Sequence, residues 1–352
     1  MYSPTTTRFT AALPAGRPAL FLAPMREVTD LPFWRVLHRY GGPDVWFTEY
    51  FRAHATARLD RDLLHAIRHP PGGRPVIAQI IGRDIPALLR AAEALQRENL
   101  LALDFNVGCP APVVCRKHAG AGLLRRPAEL AAILAALRRH VSIPLTVKTR
   151  VGFTDSGGFD DLLNIYAAAG LDALTVHGRT ASEMYRGATH YDLIARAART
   201  LPCPVIANGN IISAGIAARV AKETGAAGLM LGRGCIRNPW IFTQIRELFA
   251  DGHLRTRPTL RDLREYIGVL WHETKPAGFT EKLQVARMKK HLNFIAQKID
   301  ADDEFPRQIR RADSELDFFQ ICDKFLDRDA PFDSETPEQH LTNPGNPRVD
   351  CY

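Results

Sequence analysis

The feature that most constrains the fold is an alternation of short apolar segments with amphipathic segments, which runs from residue 19 to residue 250. The apolar segments are hydrophobic throughout, which indicates strands buried on both faces and therefore a parallel sheet. The segments between them are rich in alanine and leucine at helical spacing. Eight such units predict a (β/α)8 TIM barrel, with a doubly wound open sheet as the alternative. The predicted strands are 19–25, 45–50, 75–81, 101–107, 144–150, 173–179, 204–210 and 228–233.

A region of different character follows the barrel. A predicted helix over 238–250 ends the barrel, and a polar break precedes three further helical segments, over 260–274, 281–298 and 307–325. The end of the chain is rich in proline, aspartate and asparagine, which is typical of weakly structured sequence. The predicted division is a barrel domain over 1–252, a small all-helical domain over 253–328 and a tail over 329–352.

Polar side chains occur at the ends of nearly all the predicted strands. In a barrel these ends meet at one mouth, the face where active sites occur. The glycines at the ends of the seventh and eighth strands predict a phosphate site, to which Arg233 adds a charge-assisted bond, although ordinary turns also use glycine. The residues concerned are Pro24, Met25, Glu49, Gln79, Asn106, Lys148, Arg150, His177, Arg179, Asn208, Gly209, Asn210, Gly232 and Arg233.

Two basic side chains on the fifth predicted strand point to the same side, because Lys148 and Arg150 are two residues apart. A buried lysine at a barrel mouth needs a negative partner, such as a reduced flavin or a phosphate. His177, one strand later, can donate to a carbonyl oxygen. A salt bridge for Lys148 and a satisfied core imidazole for His177 are the structural alternatives.

Cys109 has an unusual setting, between Gly108 and Pro110 at the end of the fourth strand. Glycine permits backbone angles closed to other residues and proline fixes φ, so a rigid turn holds one thiol at the strand tip. The six cysteines form no C-x-x-C pair and no zinc spacing, which predicts unpaired thiols in a reducing compartment and no metal site.

Charge and hydropathy restrict the partners. The net charge of +8 favours a polyanion, and the predicted helix over 281–298 carries five basic residues after its first position, which indicates either RNA contact or a solvated face. No apolar run approaches the ~18 residues of a membrane span, and the first ten residues lack a signal-peptide pattern. A cytoplasmic location without membrane contact is therefore expected.

A set of motifs in fixed order, spread over residues 19–250, resembles the tRNA-dihydrouridine synthase family, and the helical region resembles the family's second domain. The segment Thr48-Glu49-Tyr50-Phe51-Arg52 is similar to the C-type bacterial subgroup. The matching motifs are Ala23-Pro24-Met25, Val28-Thr29-Asp30, Thr48-Glu49, Gln79, Asn106-Val107-Gly108-Cys109-Pro110, the glycine-rich run 120–124, Lys148-Thr149-Arg150-Val151-Gly152, His177-Gly178-Arg179-Thr180, Tyr185-Arg186-Gly187, Asn208-Gly209 and Gly232-Arg233.

The resemblance implies a flavoenzyme that holds FMN in the barrel mouth, takes electrons from NADPH and reduces uridines in the D-loop of tRNA. The FMN-binding set it implies is Pro24, Met25 and Arg26 along the ring, Gln79 at its edge, Lys148 and His177 beside it, and Asn208, Gly209, Asn210, Gly232 and Arg233 at the ribityl chain and phosphate. The tRNA-binding set is Asn106, Arg150 and Arg179 near a flipped base, and Lys282, Arg287, Lys289 and Lys290 on the helical domain. A monomer is expected.

The resemblance also gives Cys109 a role. Reduction of the uracil 5,6 double bond places hydride on C6 and requires a proton on C5 from the opposite face. A free thiol, with a pKa of about 8.5, is mostly protonated near neutrality and can donate that proton. Two other functions remain open at this point: an FMN barrel reductase of a free pyrimidine, similar to dihydroorotate dehydrogenase, and a non-catalytic RNA-binding barrel that has lost its cofactor.

Overall fold

The structure, a computed structural model, describes residues 3–333 and has at its centre eight parallel strands in the order β1-β8-β7-β6-β5-β4-β3-β2. A parallel bridge between Phe21 and Val45 joins β1 to the start of β2, so the sheet closes into a barrel. The predicted (β/α)8 TIM barrel is therefore confirmed. The strands are β1 Ala19–Leu22, β2 Trp46–Arg52, β3 Val76–Ile81, β4 Ala102–Val107, β5 Leu145–Arg150, β6 Ala173–His177, β7 Val205–Asn208 and β8 Gly228–Leu231.

Helices cover the outside of this barrel. Side-chain caps at Asp30, Asp84 and Ser213 accept from the first free N–H groups of α2, α4 and α9 and set where these helices begin. The helices up to the end of the barrel are α1 Pro4–Ala11, α2 Leu31–Arg39, α3 Arg61–Arg68, α4 Ile85–Leu95, α5 Pro112–Cys115, α6 Pro127–His140, α7 Phe159–Ala168, α8 Tyr191–Thr200, α9 Ala214–Thr224, α10 Arg233–Arg237 and α11 Ile241–Asp251.

The barrel interior is apolar towards the amino ends of the strands. Phe9 of α1 is fully buried and packs in one cluster with Phe21, Phe47 and Met230. The hydroxyl of Thr6 donates to Asp172 at 2.6 Å, which fixes α1 to the loop before β6. The sequence patterns gave no indication of α1. With this end filled, the opposite mouth is where a ligand can enter the barrel.

Between residue 253 and residue 333, the end of the described chain, four helices follow: α12 Leu260–Glu273, α13 Glu281–Ile295, α14 Glu304–Ile309 and α15 Glu315–Leu326. α11 ends at Asp251 and is capped by Gly252, whose φ of 79° lies in the left-handed region. The Tyr266 hydroxyl donates to the carbonyl of Ile236 at 2.8 Å, and one hydrophobic core continues from the barrel helices into these four. The division at residue 252 therefore stays a prediction.

The first residues of the predicted tail pair with the start of α12. Leu260 N–H donates to Ala330 O at 2.9 Å, and Phe332 N–H donates to Pro258 O at 3.0 Å. Residues 334–352, most of the predicted tail, lie outside the described residues. Within 3–333, no helix is both long and apolar enough to cross a membrane.

Candidate active site

A cavity of about 1240 Å³, including its opening to solvent, lies at the carboxyl ends of the strands. Several strands end earlier than predicted, at Leu22, His177, Asn208 and Leu231. The polar residues after the first three lie in the loops that form the mouth, whereas Arg233 begins α10. The predicted site residues on the cavity wall are Pro24, Met25, Arg26, Asn106, Cys109, Lys148, Arg150, His177, Asn208, Gly209, Asn210, Gly232 and Arg233.

The turn that carries Cys109 is held by hydrogen bonds on both sides. Asn106 Oδ1 accepts from the N–H groups of Gly108 at 3.1 Å and of Cys109 at 2.9 Å. The Cys109 carbonyl accepts from Ala121 N–H at 3.0 Å. Gly120, with φ of 55°, lets the glycine-rich run pass close by, because a Cβ there would lie 2.9 Å from the Cys109 carbonyl. The half-buried thiol is therefore on a fixed support.

The cavity is electropositive. Burial, together with Arg150 nearby, lowers the pKa of Lys148 to about 7 and that of His177 well below its ordinary value. Among the residues that the structure describes, the cavity lining includes no aspartate or glutamate. Lys148 Nζ donates to Asn208 Oδ1 at 2.9 Å, so its bond within the wall is to a neutral amide. An anionic ligand would relieve this repulsion.

One end of the cavity is formed by Arg233 and the loop after β7. Asn210 Oδ1 accepts from Arg233 Nη2 at 3.1 Å, which directs that guanidinium along the wall. Gly209 has φ of 124°, and a Cβ there would lie 3.0 Å from the His177 ring, so glycine permits the imidazole and this loop to approach each other. The loop of Gly209 and Asn210 and the Arg233 guanidinium are therefore neighbours on the cavity wall.

Two predicted ligand contacts lie beneath the wall rather than on it. Gln79 is fully buried, with its amide bonded to Asp104 and Asn106. Arg179 is also buried, and its guanidinium donates to the carbonyls of Arg186 and Gly187 and to Asn210. Both side chains support the wall, so this geometry does not favour the direct ligand contacts expected of them.

Arg150 does reach the cavity, but its guanidinium is occupied. It donates to the carbonyls of Gly108 at 2.9 Å, Thr180 at 2.8 Å and Met184 at 2.7 Å. It therefore joins the turn of Cys109 to the loop after β6. These bonds hold the two segments together at the mouth.

The basic helix α13 packs beside the same mouth. Arg287 forms an ion pair with Asp30, and Lys290 forms one with Glu27 at 2.8 Å, so these two predicted RNA contacts bind the loop after β1. The hydrogen bond from Lys290 also lowers the pKa of Glu27. Lys282 is exposed and Lys289 is half-buried. Arg287 and Lys290 thus attach the helix to the barrel, and Lys282 and Lys289 are further basic side chains on the same helix.

Three aromatic residues of the site were not predicted from strand-end patterns. Tyr50 and Phe294 line the cavity, the latter from α13. The Tyr185 ring lies 5.0 Å from the Arg233 guanidinium and 5.4 Å from that of Arg150, and also lines the cavity. Tyr185 could have been found from the quoted Tyr185-Arg186-Gly187 motif, whereas Phe294 resembles any core residue of a helix.

Comparison with known proteins gives one consistent family. The model of the family described as "Dihydrouridine synthase (Dus)" matches residues 21–329. A protein of Xanthomonas axonopodis pv. citri named "tRNA-dihydrouridine synthase B" is 34% identical over 84% of this chain and 89% of its own. The protein of the same name from Pseudomonas aeruginosa is 35% identical over 83% and 88%. A "Probable tRNA-dihydrouridine synthase 1" of Synechocystis is 32% identical over 83% and 82%.

The comparisons also concern the subgroup of the chain and its fold. The two named B-type relatives give no support to the C-type likeness of the segment Thr48-Glu49-Tyr50-Phe51-Arg52. Among solved structures, a complex of 2-naphthoyl-CoA reductase with 2-naphthoyl-CoA superposes with a TM-score of 0.57 at 10% identity, over 90% of this chain and 69% of that one. At that identity the likeness concerns the fold alone.

Proposed function

This chain belongs to the dihydrouridine synthase family, and on that premise we propose that it reduces the 5,6 double bond of uridines in the D-loop of tRNA, with FMN as cofactor and NADPH as reductant. The observation that carries the proposal is the half-buried thiol of Cys109 on the wall of an electropositive cavity at a barrel mouth. A direct test compares substrates: purified protein with NADPH should reduce unmodified tRNA and leave free uridine and orotate unchanged. Reduction of the free pyrimidines alone would reject the proposal.

The residues of the cavity fit FMN in charge and arrangement. Arg233, Asn210 and Gly209 would hold the phosphate, and Asn208 and Gly232 the ribityl chain. Pro24, Met25 and Arg26 would lie along the ring, with Lys148 and His177 beside it. Bound FMN would supply the hydride for C6 of the uracil. The arginines of the cavity wall and the lowered pKa of Lys148 support this assignment, because an anion in the cavity would offset the guanidinium charges and stabilise the ammonium form of Lys148.

The chain's own contribution to the reaction is a proton and the means to hold its donor still. Cys109 would donate from Sγ to C5 of the uracil. Asn106 and Arg150 bond the backbone of the turn from two directions, at the N–H groups and at the Gly108 carbonyl. Because these bonds occupy both side chains, we propose that they act on the base mainly by fixing the turn, and Arg179 by supporting the wall.

Flavin binding should take up protons at pH 8. The pKa of Lys148 is lowered to about 7, so at pH 8 its amine is mostly neutral in the flavin-free protein. An anion in the cavity stabilises the ammonium form and raises that pKa, whereas the FMN phosphate, with a second pKa near 6, is already ionised. Calorimetric titration with FMN in two buffers of different ionisation enthalpy should show uptake of up to about one proton. Lys148→Met should abolish the uptake, and equal heats in both buffers for the unmodified protein would contradict this role.

The helical region is proposed to bind tRNA phosphates, as predicted for the basic helix. Arg287 and Lys290 are ion-paired, so reversing their charge would also detach α13 from the barrel loop. Lys289 offers the cleaner test. Lys289→Glu should raise the apparent Kd for tRNA about three- to tenfold at low salt and reduce the salt dependence of binding, because fewer counterions are released. Lys222→Glu, the same charge change on an exposed residue of α9, is the control. Equal affinities of the two variants would reject the contact.

A further inference from the structure

A buried chain of hydrogen bonds runs beneath the cavity from β5 to the turn of Cys109. Thr146 Oγ1 donates to Asp104 Oδ1 at 2.7 Å, and Gln79 Nε2 donates to Asp104 Oδ2 at 2.8 Å. Asn106 Nδ2 donates to Gln79 Oε1 at 2.7 Å. Asn106 Oδ1 then accepts from the backbone of Gly108 and Cys109. Strand register explains the contacts, since Gln79 is paired with Asp104, and Asp104 with Thr146.

The direction of the bonds in this chain is fixed at both ends, by the Asp104 carboxyl group and by the backbone N–H groups of the turn. A carboxylate accepts only, so the neighbouring amide of Gln79 must present its NH₂ group to Asp104 and its oxygen to Asn106. Asn106 must then present its NH₂ group to Gln79 and its oxygen to the turn. If the Gln79 amide were reversed, oxygen would face oxygen at Asp104 and NH₂ would face NH₂ at Asn106.

This chain forms a polar layer inside the barrel, made of Thr146, Asp104, Gln79 and Asn106. The layer is not needed to fill the barrel. The layer towards the amino ends is filled by apolar side chains, including Phe21, Phe47, Ile77 and Met230, as is usual for such barrels. A fully buried carboxyl group is costly by comparison, and burial raises the pKa of Asp104 to about 7. A proton on Oδ1 can be donated to Thr146, so Oδ2 accepts from Gln79 in either protonation state.

We propose that Asp104 and Gln79 are positioning residues of the reaction, which orient the Asn106 amide so that its oxygen holds the backbone N–H groups of Gly108 and Cys109 and fixes the thiol at the cavity wall. The inference rests on the proposed function in one respect, namely that the Cys109 thiol is the proton donor. It does not depend on which pyrimidine is reduced. Neither residue contacts the substrate in this account.

The test is a suppression experiment. In Gln79→Glu, two carboxyl groups face each other, so the bond to Asp104 is lost or needs an extra proton. Adding Asp104→Asn restores the chain, because the new amide NH₂ group donates to the carboxylate introduced at position 79 and the amide oxygen still accepts from Thr146. Asp104→Asn alone should give an intermediate loss, smaller than that of Gln79→Glu, because the new amide can present either its oxygen or its NH₂ group to Gln79 and no longer fixes the direction of the chain.

Two readouts separate positioning from general loss of structure. Gln79→Glu should lower kcat by roughly 10²-fold with little change in KM for tRNA, because a displaced donor slows the chemical step. In the same variant, the amides of Gly108 and Cys109 should exchange hydrogen at least about tenfold faster, since repulsion between the carboxyl groups at positions 79 and 104 displaces the side chain at 79 and, with it, the Asn106 amide that accepts from the turn. The double variant should recover both properties. If Gln79→Glu does not fold, Gln79→Met removes the amide without adding charge and should show the same two effects.

Wild-type exchange and kcat in Gln79→Glu or Gln79→Met, or a double variant no better than Gln79→Glu, would overturn the inference. Hydrogen exchange is measured without tRNA or NADPH, so it also distinguishes the two proposals. Suppressible exchange in a protein that does not reduce tRNA would reject the function and leave the hydrogen-bond chain standing. If the protein reduces tRNA but neither kcat nor hydrogen exchange changes in these variants, the positioning role is rejected and the proposed function stands.

Discussion

Replacement of Cys109 by alanine is expected to lower the rate of dihydrouridine formation about 10²- to 10⁴-fold, the usual contribution of a positioned general acid. The thiol lies on the cavity wall, on a turn held by Asn106 and Arg150. Alanine keeps that backbone and removes only the proton donor. FMN content and the reduction of the flavin by NADPH should therefore remain close to those of the unmodified protein, as measured by absorbance at the flavin band.

Cys115 provides the matched control for this experiment. It is buried, and its thiol donates to the Cys109 carbonyl at 3.5 Å, a weak bond on the side of the turn away from the reaction. Cys115→Ala should retain activity within about threefold, since loss of one weak neutral bond is a small perturbation. Full activity in Cys109→Ala would exclude this thiol as the proton donor. Equal loss in both variants would indicate a structural effect on the turn.

Removal of the Arg233 guanidinium is expected to weaken FMN binding about 10- to 100-fold, the typical effect of losing a charge-assisted hydrogen bond. Arg233 is the first residue of α10, directly after β8, and Asn210 directs its side chain along the cavity wall. Arg233→Ala should therefore release its flavin on dilution. Fluorescence titration of the flavin-free protein with FMN measures the change in Kd directly.

Arg219→Ala is a suitable control, because it removes the same charge from the outer helix α9, where Arg219 is about half exposed and near Glu223. Its FMN affinity should equal that of the unmodified protein. If Arg233→Ala also binds FMN with unchanged affinity, the phosphate is held elsewhere. The assignment of the turns after β7 and β8 to the phosphate would then fail.

The barrel and most of its mouth could be predicted from the sequence because both depend on local patterns. Continuous apolar segments mark the strands, and the polar residues after them must meet once the sheet closes. The same patterns did not predict that the Gln79 side chain lies outside the cavity. It lies two residues before the end of β3, and its short amide stays beneath the cavity. Lys148 has a comparable place in β5, but its longer side chain reaches the wall.

Contacts between distant parts of the chain were beyond the sequence patterns. Basic spacing on α13 could not distinguish a side chain free to meet RNA from one already paired, and the partners of Arg287 and Lys290 are more than 250 residues away. Phe294 could not be predicted as a cavity residue either, because the packing of α13 on the barrel decides which face of that helix lines the cavity. The hydrogen-bond chain from Asp104 required strand register, which neither composition nor periodicity gives.

The central claim is that this protein reduces uridine in tRNA and that Cys109 supplies the proton. The most direct measurement incubates unmodified tRNA with purified protein, FMN and NADPH, digests the RNA, and maps by mass spectrometry any uridine that has gained two hydrogens. We predict dihydrouridine in the D-loop with the unmodified protein and with Cys115→Ala, and almost none with Cys109→Ala. Unreduced tRNA in all three samples, or equal dihydrouridine in all three, would contradict the account.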